Sequence, residues 1–89
     1  MNKLNIWTAF DMERRRQDRL KAEGRFKYTA ADPELTHADR FIILGEEIGE
    51  VAGAIVQGGG LSTDRTDADL KKELIQVGAV ITAWLEAID

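Results

Sequence analysis

The 89-residue sequence has no cysteine, which excludes disulfides, thiolate nucleophiles and cysteine-ligated zinc. It has one proline, Pro33, so little interrupts a helical pattern outside the segment around it. No sustained two-residue alternation or tight hairpin signal is present, so no strand is expected. The longest apolar run falls far short of the roughly 18 residues that a membrane span needs. The opening "MNKLNIWTAFDME" lacks an apolar h-region and a small-residue cleavage site. These absences give the expectation of a cytoplasmic protein with no membrane partner. The net charge of −4 argues against nucleic acid as its main partner.

What is present is helical. The hydrophobic fraction of 44% is enough for a core, and the length suits one small domain over 1–89. A first helix is expected at about 4–22, with Leu4, Trp7, Phe10 and the Arg14 stem on one side and Gly24 as its stop. Residues 23–35 read as a connector with a turn at Pro33. Thr36 then has the character of an N-cap, with Asp39 three residues on. From there Phe41, Leu44, Ile48, Val51, Ala52 and Ile55 recur at helical spacing, giving a second helix at about 37–57 that ends at Gly58–Gly60. A polar loop over 58–66 leads to a second capping pattern, Thr66 and Asp69. The third helix, about 67–88, carries Leu70, Leu74, Val77, Ile81, Trp84, Leu85 and Ile88 on one side. The fold class is all-α, an antiparallel bundle of about three helices per chain.

The chemistry lies in the stretch "LGEEIGE". It sets Glu46, Glu47 and Glu50 beside an apolar stripe, where like charges repel and desolvation is costly. Glu47 and Glu50 are i and i+3 and neighbour each other on the helix. In the third helix Glu73 falls within the apolar arc and Gln76 lies on its flank. Two antiparallel helices bring these edges together, and converging carboxylates stay ionised only beside basic groups or a hard divalent cation. Magnesium suits such a set because it takes oxygen ligands and is often shared between carboxylates and phosphates. Solvated glutamates are the plain alternative for a bare EExxE pattern, but a solvated face does not explain Glu73.

"EEIGE" followed by "KELIQVGAVITAWLEAID" resembles the MazG-like branch of the all-α NTP pyrophosphatases, relatives of the all-α dUTPases. The upstream "ERRRQDRLKAEG" is similar to the segment before the core in small phage and bacterial members. The family pattern is Glu-Glu-x-x-Glu, a spacer, then Glu-x-x-Asp. This chain matches it at Glu46, Glu47, Glu50 and Glu73, and departs from it at Gln76. The resemblance implies magnesium-dependent hydrolysis of a nucleoside triphosphate to a monophosphate and pyrophosphate, with manganese as a substitute metal. It implies Glu47, Glu50 and Glu73 as metal ligands, with Gln76 offering a carbonyl oxygen as a fourth. Glu46 is then a ligand, an outer-shell partner or the group that orients the attacking water, and Glu46 and Glu47 are the catalytic carboxylates. The departure at Gln76 leaves a second reading open, a catalytically weakened nucleotide- or metal-binding module of the same fold.

Phosphates also need cations. Arg14, Arg15, Arg16, Arg19, Lys71 and Lys72 are available, with Arg15, Arg19 and Lys72 taken as the phosphate-binding set. A solvated helix face with ion pairs to Glu13 and Asp18 is the alternative for the arginines. Trp7, Phe10, Phe26 and Tyr28 are the aromatics open to a base, with Trp7 and Phe10 read as core or dimer contacts. Trp84 reads as packing and His37 as a surface residue. Gly45, Gly49 and Gly78 inside helices cost about 1 kcal/mol each against alanine, a loss that close helix approach can offset. A chain of this size cannot bury Leu44, Ile48, Ile81, Trp84 and Ile88 together. A homodimer or homotetramer completing the bundle is therefore expected.

Overall fold

The computed structural model describes residues 1–57 and 67–88. They form three helices, α1 (Lys3–Ala22), α2 (His37–Gln57) and α3 (Asp67–Ile88), with no strand among the described residues. The second expected end, at Gly58–Gly60, and the Thr66 cap lie outside the described residues.

Local chemistry accounts for the ends that are described. The Asn2 side chain accepts from the Asn5 amide at 2.8 Å and starts α1. At the other end Gly24 has φ +77°, a conformation that costs glycine least. The Arg25 amide then donates to the Leu20 carbonyl at 2.8 Å and the Gly24 amide to Lys21 at 2.9 Å, the paired bonds of a left-handed helix cap. At the start of α2 the Asp39 amide donates to Thr36 Oγ1 at 3.0 Å and the Thr36 amide donates to the Asp39 carboxylate at 2.9 Å. This reciprocal pair satisfies two otherwise unpaired amides. The backbone bond from Thr36 is the first cause that holds the Asp39 carboxyl below its ordinary value.

The connector is held by a residue that hydropathy does not pick out. Arg40 is buried, and its guanidinium donates to the Ala30 carbonyl at 2.7 Å and to the Asp32 carbonyl at 2.6 Å. Asp32 is gripped a second time, from α1, because Lys21 Nζ donates to its carboxylate at 2.5 Å. The one signal of this role is position: Arg40 stands four residues before Leu44, on the inner face of α2.

The helices run up, down and up, and α3 is the middle one. It packs against both α1 and α2, which do not pack on each other. Phe10 of α1 lies on Gly78 and Arg14 reaches Glu86, so α1 and α3 run parallel. On the other side Trp84 Nε1 donates to His37 Nδ1 at 3.0 Å, near the start of α2, so α2 runs antiparallel to α3. His37 is thus exposed, as expected, and also serves as the hydrogen-bond acceptor for Trp84.

A helix with neighbours on two sides favours small residues where they approach, and the buried part of α3 is Gly78, Ala79, Val80 and Ala83. Much of the expected apolar stripe is left uncovered within one chain, as its small size requires. Leu74, Ile81, Leu85 and Ile88 are exposed, as are Phe41 and Ile48 on α2. The inner face of α1 is also rotated from the expected one. Leu4 and Trp7 are exposed, whereas Ile6, Phe10, Arg14, Gln17 and Leu20 turn inward to varying degrees. That face is half polar, so hydropathy alone does not mark it.

Candidate functional site

Because α2 and α3 are antiparallel, the i, i+3 pair Glu47 and Glu50 on α2 faces Glu73 on α3. One carboxylate oxygen from each of the three lies within 4.8 Å of the others. Glu47 and Glu73 are half-buried and Glu50 is exposed. Among the described residues, none of the three forms a salt bridge; the ion pairs engage other carboxylates, those of Asp11, Glu13, Asp18, Asp32 and Glu86.

The electrostatics follow from that crowding. Burial raises the Glu47 carboxyl above the ordinary glutamate value, and the charges of Glu50, Glu73 and Glu46 push it the same way. Glu50 is raised too. Loss of water is the first cause, followed by a hydrogen bond and charge repulsion with Glu73, while Lys72 pulls in the opposite direction.

Gln76 sits beside this cluster and can turn either end of its amide to it. With its nitrogen facing the acids, it donates to Glu47 Oε2 at 3.3 Å and to Glu73 Oε2 at 3.2 Å. With the amide the other way round, its carbonyl oxygen faces the acids, the orientation that the expected coordination of a cation uses.

The donor set fits a hard cation. Three acidic oxygens from two helices lie within 4.8 Å of one another with no salt bridge among the described residues, and oxygen ligands of this kind are what magnesium takes. The same crowding gives a testable pH dependence. A glutamate raised in the folded state binds more protons there than in the unfolded chain, so stability falls as pH rises from the ordinary value of 4.5 through the raised values. Thermal unfolding in a chelator should therefore show a declining midpoint over that window, and magnesium should restore the alkaline side. The Asp39 contribution runs the opposite way, being lost only as pH falls below its ordinary value of 3.8.

Glu46 is exposed and stands outside the three-acid cluster. Together with Glu47 it borders a cleft of about 370 Å³ that is also lined by Gln17 of α1 and by the connector, including Arg25, Phe26, Lys27 and Tyr28. Glu47 is thus common to the cluster and the cleft.

The cations chosen from the sequence do not line that cleft. Arg15 pairs with Asp11 at 2.9 Å on the exposed side of α1. Arg16 pairs with Glu13 at 2.9 Å. Arg14 is buried and bound to Glu86 and Asp18 at 2.6 and 3.1 Å, so it joins α1 to α3. Arg19 is exposed and borders neither cleft described here. Lys72 is exposed and lines a second cleft with Glu13, Arg16 and Gln76, near enough to act on Glu50. Arg25 and Lys27 were not singled out, although one signal was available. They lie beyond α1, where no helical register supplies an i, i+4 acid.

No protein-family model matches the chain, and neither a curated protein nor a solved structure matches it.

Proposed function

We propose that the chain is a magnesium-dependent nucleoside triphosphate pyrophosphohydrolase of the MazG-like, all-α kind. The observation that carries this reading is the convergence of Glu47, Glu50 and Glu73, with no salt bridge among the described residues, beside a cleft that Glu47 shares with basic and aromatic residues of the connector. Glu47, Glu50 and Glu73 would hold the metal, with manganese as an alternative. When bound, it supplies charge neutralisation for the phosphates and a bound water of lowered pKa.

Glu46 and Glu47 border the cleft where water meets the α-phosphorus. One of them accepts the water proton as the new oxygen–phosphorus bond forms, and the bond to the α–β bridging oxygen breaks. The products are a nucleoside monophosphate and pyrophosphate.

The exposed apolar residues of α2 and α3 support a homodimer or homotetramer as the working form, since Phe41, Ile48, Leu85 and Ile88 would otherwise remain in water. Among the described residues no helix is long and apolar enough to cross a membrane.

A second reading is favoured by Gln76. Its two donated bonds do part of a cation's work at the acids, which suits a module that holds nucleotide or metal without turnover. Pyrophosphate release from a panel of ribo- and deoxyribonucleoside triphosphates, with magnesium or manganese, separates the two. Metal-dependent release is the expected result. Metal and nucleotide binding without release would select the second reading, and neither binding nor release from the folded protein would remove both.

A further inference from the structure

We infer that the connector, and not the arginine-rich half of α1, recognises the substrate, with Phe26 and Tyr28 offering ring faces to a nucleobase and Arg25 and Lys27 binding its phosphates. The inference rests on the proposed function and deepens it. Its first support is place. All four residues line the cleft that Glu46 and Glu47 border, so one ligand can touch the connector and the acids together. The cleft's volume of about 370 Å³ lies within the range of small-molecule sites.

The second support is chemistry. Among the described residues, Arg25 and Lys27 have no salt bridge, whereas Arg14, Arg15, Arg16 and Lys21 are engaged by carboxylates and Arg19, which also has none, does not line the cleft. Phe26 is 39% exposed and Tyr28 49% exposed, although both stand beside the apolar floor of Ala30, Ile43 and Val80. Two rings that keep accessible surface next to free cations form a stacking platform for a base carrying phosphates. Neither an acidic peptide nor an inorganic phosphate would use both features beside two glutamates.

The third support is rigidity. The segment is tied at its start by the Arg25 and Phe26 amides, which donate to the Leu20 carbonyl at 2.8 and 3.2 Å. At its far end Arg40 holds the Ala30 and Asp32 carbonyls. A wall anchored at both ends presents its side chains at low ordering cost, which favours affinity.

The test measures binding by calorimetry, in magnesium, of α,β-imido triphosphates of the common bases and of inorganic tripolyphosphate. Manganese binding, followed by its electron spin resonance, reports the acidic cluster separately. Removing both rings (Phe26→Ala with Tyr28→Ala) should weaken the imido nucleotides by about tenfold or more, while tripolyphosphate and manganese binding stay unchanged. Tyr28→Phe should keep wild-type affinity. Removing both cations (Arg25→Ala with Lys27→Ala) should weaken nucleotides and tripolyphosphate alike. Unchanged nucleotide affinity in both double variants overturns the inference but leaves the proposed function standing. Failure of the wild-type protein to bind manganese and imido nucleotides overturns both.

Discussion

Glu50→Ala should reduce metal-dependent pyrophosphate release by about 1000-fold or more, because metal charge stabilisation is worth several kcal/mol and each 1.36 kcal/mol is a factor of ten. The same substitution should leave the metal-free protein folded and slightly more stable. Glu50 is one of three carboxylates whose oxygens lie within 4.8 Å, and its carboxyl is raised because ionisation there is unfavourable. Removing it relieves repulsion, and alanine is the better helix former. A stabilisation of roughly 0.5 kcal/mol at neutral pH is expected. The two readouts must therefore move in opposite directions. A parallel loss of activity and stability would mean that Glu50 is structural, and unchanged release would take it out of the site.

Gln76→Asp supplies the counterpart. It adds a fourth acidic oxygen and removes the amide that donates to Glu47 and Glu73. Affinity for magnesium or manganese should rise by roughly tenfold or more, since affinity at oxygen-ligand sites follows ligand charge. In a chelator the variant should lose about 1–3 kcal/mol, the cost of leaving partly buried acceptors unpaired. Calorimetry with each metal and unfolding in its absence check the two halves.

The second large effect is expected at Gly78. A Cβ built there would stand 2.3 Å from Phe10 Cε1 and Cζ and 2.7 Å from Cε2. Helix propensity alone would make Gly78→Ala stabilising by about 1 kcal/mol. Overpacking costs about 1–3 kcal/mol, and contact this deep across three ring atoms puts the cost at the upper end or beyond. The net expectation is a loss of about 2 kcal/mol, or roughly 8–16 °C in midpoint for a domain of this size. The sign should reverse once the ring is gone. In a Phe10→Ala background, Gly78→Ala should stabilise by up to about 1 kcal/mol, a coupling that a double-mutant cycle reads directly. Additive effects would mean that the ring does not meet this glycine. Gly45, Gly49 and Gly53 show no such contact, since a Cβ at each would meet nothing within 4 Å.

Much of the fold was legible without coordinates because its determinants are local. Thr36 and Asp39 are three residues apart and need only each other to start α2. Gly24 ends α1 through bonds that reach back no further than Leu20. The spacing of Glu47 and Glu50 on one helix edge is likewise a property of 3.6 residues per turn. The antiparallel return of α3, which carries Glu73 to them, follows once two helices are joined by a short link.

Tertiary structure decided the rest, because it depends on what stands on the other side of a contact. Arginine patterning looks the same whether the guanidinium meets solvent, phosphate or Glu86, so Arg40 could not be told from a surface cation, and the place of the Arg14 stem on the apolar side of α1 did not reveal Glu86 as its partner. Hydrophobicity marks which residues leave water, but not which neighbour receives them. With α3 in the middle and close to two helices, alanine and glycine form its buried faces while larger apolar residues stay outside. A glutamine is both donor and acceptor, and the acids it meets determine which end is used. The sequence thus determined the helices and the edge on which the acids stand. Packing decided which cations remained free and where the cleft opened, since ion pairs and cavities belong to surfaces that come together only on folding.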